Sequence, residues 1–158
     1  MNTQITTEKI NEIGSKIVDK ISVQLEDATA EFQEFFGRLI IYVGFKYFEI
    51  SEAVSESLQY AYGTDSEFRE EIDNMTEEEA EEYFNQQYEE ELEEINRLNA
   101  VYVNANIDTP KYNIHIEPLE CSGDYCMVGL VAEIEIKSDL SDIDIDNIAK
   151  LIATIYQL

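Results

Sequence analysis

Positive charge is what this chain has least of. Its 158 residues hold 10 lysines and arginines against 35 aspartates and glutamates, a formal net charge of −25. So anionic a surface repels phosphate, which argues against direct binding to DNA, RNA or an anionic membrane. Long apolar runs are also missing. The longest, Leu39 to Ile50, is interrupted by Lys46 and Glu49 and is too short to span a bilayer. The start, MNTQITTEKINEIG, lacks the basic-then-apolar layout of a secretory signal, so a cytoplasmic protein is expected.

The residues of catalysis and metal binding are equally scarce. Histidine occurs once, at His115, and cysteine twice, at Cys121 and Cys126. One histidine and two cysteines at this spacing make a poor zinc set and no recognisable triad. The cysteines bracket the turn-like SGDY, where a hairpin disulfide is conceivable; in a reducing compartment two free, metal-free thiols are the expectation. There is no glycine-rich phosphate loop and no dinucleotide fingerprint. Asp142, Asp144 and Asp146 alternate like the first half of a calcium loop. Such a loop needs glycine at Asn147 and glutamate at Ala153, so these aspartates are read as helix N-capping. No enzymatic activity, metal or cofactor is expected.

What the chain has in excess is glutamate. Residues 76–94 read TEEEAEEYFNQQYEEELEE, with ten glutamates in the eighteen positions 77–94. Thr76 and Glu79 form a capping-box pattern, and Glu77, Glu78 and Glu79 lie where negative charge meets the positive end of a helix dipole. Ala80, Phe84, Tyr88, Leu92, Ile95 and Leu98 recur at steps of three and four, predicting one helix from 77 to 99 with Phe84, Tyr88, Leu92 and Ile95 buried. Glu77, Glu78, Glu81, Glu82, Glu89, Glu90, Glu93 and Glu94 fall largely outside that stripe and are the candidate partner-binding residues. Their density is roughly one charge per 2.6 Å of axis, against about 1.7 Å for a DNA duplex and 3.4 Å for one strand. Residues 64–99 sum to −13, with Arg69 and Arg97 the only cations; residues 1–63 sum to −5 and residues 100–158 to −7. A solubilising charge would spread more evenly, so the asymmetry points to a dedicated face meeting a basic partner.

A single α+β domain is expected over 1–158, mainly helical to residue 99. Residues 7–62 read as helix with weak points at Gly14 and Gly37, ending at Gly63. Residues 38–50 suit a buried helix or a central strand; helix is favoured because Ala53, Leu58 and Ala61 continue the helical spacing. A short helix to about Asn74 precedes the acidic one. Alternation at Val101 and Val103, at Tyr112, Ile114 and Ile116, and at Val131, Ile134 and Ile136 predicts two or three antiparallel strands. A helix over about 144–157 closes the chain. Apolar residues at 44% suffice for a core.

In size, charge and the segment TEEEAEEYFNQQYEEELEE, the chain resembles phage-encoded anti-CRISPR and anti-restriction proteins that act as nucleic-acid mimics. The resemblance implies an inhibitor in the host cell cytoplasm, seated in the basic groove of a defence nuclease. Residues 95–158, INRLNAVYVNANI followed by a strand pair and KSDLSDIDIDNIAKLIATIYQL, are similar in layout to type III secretion chaperones and YbjN-like domains. That likeness implies an acidic chaperone or adaptor binding a partner polypeptide on its sheet.

Overall fold

The computed structural model describes residues 5–102, 104–121 and 123–157. The chain divides into two compact units. The first holds residues 1–46, 99–119 and 128–158; the second holds Tyr47–Leu98 and Glu120–Met127. The fold is α+β, with five helices and five strands among the described residues.

In the first unit, α1 (Thr7–Gln24) begins at Thr6, whose side chain accepts from the Lys9 amide. Ile10, Ile13, Ile17 and Ile21 make its buried stripe. The helix runs unbroken through Gly14, one of the weak points expected. A Cβ there would meet the Phe32 ring at 2.6 Å and Leu39 at 2.7 Å, so the glycine sets how closely α1 lies on the sheet. At the other end of the chain α5 (Asp142–Tyr156) starts with a capping box between Ser141 and Asp144, the capping read from the sequence. The Ser141 amide first, then Lys111, hold the Asp144 carboxyl below its usual pKa. Ile145, Ile148, Ala149, Ile152, Ala153 and Ile155 are its buried residues, and they join the α1 stripe in one core.

Both helices cover one face of a five-stranded sheet, not the two or three strands expected. It comprises β1 (Ala30–Phe35), β2 (Arg38–Glu49), β3 (Ala105–Asp108), β4 (Tyr112–Pro118) and β5 (Tyr125–Ile136), in the order β1-β2-β5-β4-β3. The β1–β2, β3–β4 and β4–β5 pairs are antiparallel. Leu39, Ile41 and Val43 of β2, Ile114 and Ile116 of β4, and Leu130, Ala132 and Ile134 of β5 face the helices and are buried. The intervening residues face the other side, as a period of two requires. Val101 lies in a turn before β3, and Val103 lies outside the described residues.

The helix expected over residues 7–62 therefore breaks into α1, β1, β2 and most of α2 (Ile50–Thr64). Residues 38–49 are strand, not helix. Both faces of β2 carry apolar side chains, because Ile40 and Tyr42 are half-buried opposite the core face. That two-sided pattern hides the alternation that marks a half-exposed strand. The turn before it is decisive. Phe35 pairs with Arg38, so Phe36 and Gly37 alone connect the strands, both with positive φ (48° and 80°). Two positive φ values in a two-residue loop are the requirement of a type I′ hairpin turn.

Phe36 is an unusual occupant of that turn. It is 89% exposed and touches Phe35 edge-on at 4.5 Å. A side chain in the left-handed region costs roughly 1–2 kcal/mol, a cost asparagine largely escapes. Phe36→Asn is expected to stabilise the protein by about 0.5–1 kcal/mol, roughly 2–4 °C in melting temperature. A thermal melt checks this; a lowered midpoint would mean that the Phe35–Phe36 contact outweighs the backbone strain.

The second unit is helical. It contains α2 (Ile50–Thr64), α3 (Ser66–Asp73) and α4 (Glu77–Asn99), with a loop closed by a disulfide between Cys121 and Cys126. The expectation of free thiols is overturned. The cysteines flank the turn at the start of β5 with Cα atoms 4.1 Å apart, so the hairpin itself presents them to each other. Helix α2 continues through Gly63 to Thr64, and Asp65 caps α3 by accepting from the Glu67 and Phe68 amides.

Candidate functional site

The acidic helix forms where the sequence places it. At the start of α4 the Thr76 hydroxyl oxygen accepts from the Glu79 amide at 3.1 Å and donates to Glu79 Oε1 at 3.2 Å. The helix then runs unbroken for 23 residues to Asn99. Ile95 is buried, while Phe84, Tyr88 and Leu92 are half-buried rather than buried. Leu98, counted in the apolar stripe, is 48% exposed. The shortfall has a physical reason: α3 buries none of its residues, so the unit covers α4 thinly.

All eight candidate glutamates, Glu77, Glu78, Glu81, Glu82, Glu89, Glu90, Glu93 and Glu94, are exposed. Among them only Glu94 has a cationic partner among the described residues, through an ion pair with Arg97. Arg69, the other cation of this segment, is committed elsewhere. Its Nε donates to the Tyr62 carbonyl at 2.9 Å and its Nη2 to the Gly63 carbonyl at 3.2 Å, and the guanidinium lies over the Tyr62 ring. It therefore caps the end of α2 and leaves the candidate glutamates of α4 other than Glu94 without a cation among the described residues. Like-charged i,i+4 pairs such as Glu77–Glu81 and Glu78–Glu82 each cost about 0.2–0.5 kcal/mol, so the ridge forms at some expense to the helix.

What holds α2 in place was not visible in the sequence. Its N-cap residue, Glu49, makes no side-chain cap. Asp124, inside the disulfide loop, supplies one instead. Its Oδ1 accepts from the Ser51 amide at 2.9 Å, its Oδ2 from the Ser51 hydroxyl at 2.5 Å, and its carbonyl from the Ile50 amide at 2.9 Å. The Ser51 hydroxyl, then the Ser51 amide, pull the Asp124 carboxyl below its ordinary pKa, with Tyr88 of α4 adding a further hydrogen bond. One carboxylate thus joins the disulfide loop, the start of α2 and the middle of α4.

That arrangement has a pH signature. The folded carboxyl binds its proton less readily than the unfolded one. Its contribution is therefore fully present above the unfolded value of 3.8 and is lost as pH falls through the lower folded value. The protection of the Ser51 amide, its exchange rate relative to the intrinsic rate at the same pH, is expected to fall in acid in the parent. In Asp124→Asn protection should be low already at neutral pH and show little further change. Equal protection in both proteins at neutral pH would remove Asp124 from this role.

His115, on β4, has Nδ1 2.5 Å from Asn106 Oδ1 and Nε2 3.1 Å from Glu117 Oε2. The cysteine sulfurs are committed to each other. No group of three His, Cys, Asp or Glu side chains among the described residues is arranged to hold a metal ion. Of the tyrosines, Tyr83 and Tyr88 are half-buried, and Tyr60, on α2, is 74% exposed. No described helix is long and apolar enough to cross a membrane. Comparison of the chain with known protein families, curated proteins and solved structures returned no match.

Proposed function

We propose that this protein is a non-enzymatic acidic inhibitor whose α4 ridge covers the basic nucleic-acid groove of another protein, of the kind a defence nuclease of the CRISPR or restriction type presents. The observation that carries the reading is the set of eight exposed glutamates from which the one nearby arginine besides Arg97 is diverted to cap α2. A ridge left unneutralised at a cost to its own helix is relieved by a cationic surface. Association would be fast and salt-sensitive, because complementary charge steers encounter. The alternative, a chaperone-like adaptor gripping a polypeptide on its sheet, finds less support. Asn113, His115 and Glu117 of β4 and Glu133 and Glu135 of β5 make the outward face of that strand pair largely polar.

The test is a competition. Immobilised protein is used to capture proteins from a bacterial lysate at low salt, and the bound fraction is challenged with excess duplex DNA or with RNA. Under this reading the captured proteins are nucleic-acid binders released by nucleic acid and by added salt. Capture that survives both challenges would sink it.

A further inference from the structure

The second unit is one continuous stretch, Tyr47–Leu98, completed by a segment from far along the chain, Glu120–Met127. That segment is closed on itself by the bridge between Cys121 and Cys126, five residues apart in sequence. Asp124 sits inside the ring so formed, next to Gly123, whose φ of 61° turns the chain. From there it reaches both long helices of the unit. It accepts from Ile50 and Ser51 at the start of α2 and from Tyr88 in the middle of α4. Beside it Tyr125 stacks on Tyr47, with ring centroids 5.8 Å apart.

The bridge decides how readily those bonds form. Closed, the ring leaves Asp124 few backbone conformations, so little chain entropy is lost when its carboxylate meets Ser51. Open, Asp124 is tethered only on its C-terminal side, where Tyr125 begins β5, and must be ordered afresh. The N-cap residue of α2, Glu49, makes no side-chain cap of its own to replace it. The two cysteines also differ in access: Cys121 is half-buried and Cys126 buried. An attacking thiolate therefore meets the bridge at Cys121.

We propose that the Cys121–Cys126 bridge is a redox switch on the second unit, opened by a dithiol reductant. One thiolate of the dithiol bonds to Cys121 Sγ as the S–S bond breaks; Cys126 leaves with the electron pair and takes up a proton. The second thiol of the reductant then loses its proton, closes on the first sulfur as a disulfide and releases Cys121, which is protonated in turn. Two electrons and two protons have passed to the protein. The opened loop no longer positions Asp124, and the start of α2 and the middle of α4 lose their shared tie. Because α4 carries the glutamate ridge, redox state sets how firmly that ridge is held; this consequence rests on the inhibitor reading, whereas the switch itself does not.

The experiment compares amide protection in the full chain, oxidised and reduced with dithiothreitol, at one pH. The chain has only these two cysteines, so the reductant has one target. Protection of the Ser51 amide is expected to fall about tenfold on reduction and to return on reoxidation, the scale of closing a short loop. The amides of Ile13 in α1 and Ile148 in α5 report any general loss of stability and should hardly change. Cys121→Ser should match the reduced protein and ignore dithiothreitol. In Asp124→Asn, reduction should bring no further loss at Ser51, because the bridge acts through that carboxylate. Unchanged protection at Ser51 once thiol titration shows the bridge open would overturn the switch. So would an equal fall at Ser51, Ile13 and Ile148, or a tenfold fall that persists in Asp124→Asn. Two free thiols in the protein before any reductant is added would also overturn it. The inhibitor reading is tested apart from this, since none of these measurements involves a partner.

Discussion

Replacing Glu77, Glu78, Glu81 and Glu82 with glutamine should move two measurements in opposite directions. Glutamine and glutamate have nearly equal helix propensity, so α4 keeps its intrinsic preference. The like-charged pairs Glu77–Glu81 and Glu78–Glu82 disappear, which returns up to about 1 kcal/mol to the helix. Against this, charge at the N-terminal turn also favours the helix dipole, so the net effect on stability is zero or a small gain. Binding to a basic partner should fall. Four fewer charges reduce the association rate and flatten the dependence of affinity on salt. Denaturant unfolding and association kinetics at several salt concentrations read the two effects. A variant that binds as tightly and as salt-dependently as the parent would make the ridge a solvated face only.

The largest effect on stability is expected at Gly129. Its φ of +119° is one that side-chain-bearing residues rarely adopt, and a Cβ there would stand 2.5 Å from the Val43 carbonyl oxygen and 2.8 Å from the backbone of Gly44. These are backbone atoms of the neighbouring strand, so no rotamer change can clear them. Its own amide donates to Asn99 Oδ1 and its carbonyl accepts from the Leu119 amide, which pins it from both sides. Gly129→Ala should cost about 3–5 kcal/mol from strain and overpacking together. That is a large part of the 5–15 kcal/mol typical of a folded domain. Gly63 is the contrast. It lies within α2 with open space around it, so Gly63→Ala should be neutral or stabilising by up to about 1 kcal/mol. Urea unfolding of both variants separates a steric requirement from a general intolerance of substitution.

Legibility in the sequence followed how one-sided each element is. Helix α4 was readable because polar and apolar residues segregate cleanly, and Thr76 and Glu79 mark its start. Helix α5 was readable from its leading aspartates and the isoleucine spacing, although the N-cap proves to be Ser141. The hairpin β1–β2 was not, because β2 has apolar residues on both faces and its turn uses Phe36 where asparagine would have announced it. Strands β4 and β5 alternate, and were found. The disulfide was missed for a different reason: the cysteine spacing allowed it, but an assumed reducing compartment decided against it. With the bridge present, that reasoning no longer supports a cytoplasmic location, since disulfides persist chiefly in oxidising surroundings. The Asp124 cap lay beyond any local pattern, because its partner Ser51 is 73 residues away.

That separation, with the strand order β1-β2-β5-β4-β3, sets a timetable for the nascent chain. Strand β2 leaves the ribosome long before β5, the neighbour that will cover its inner edge. Until then the β1–β2 hairpin presents an unpaired apolar edge, the kind of template on which chains aggregate. The start of α2 likewise waits for Asp124. Between β2 and β5 in the chain come residues 64–99, with their two cations and fifteen acids. The most strongly self-repelling stretch is therefore synthesised while the stickiest edge is open, and mutual repulsion between neighbouring chains on one messenger would hold those edges apart.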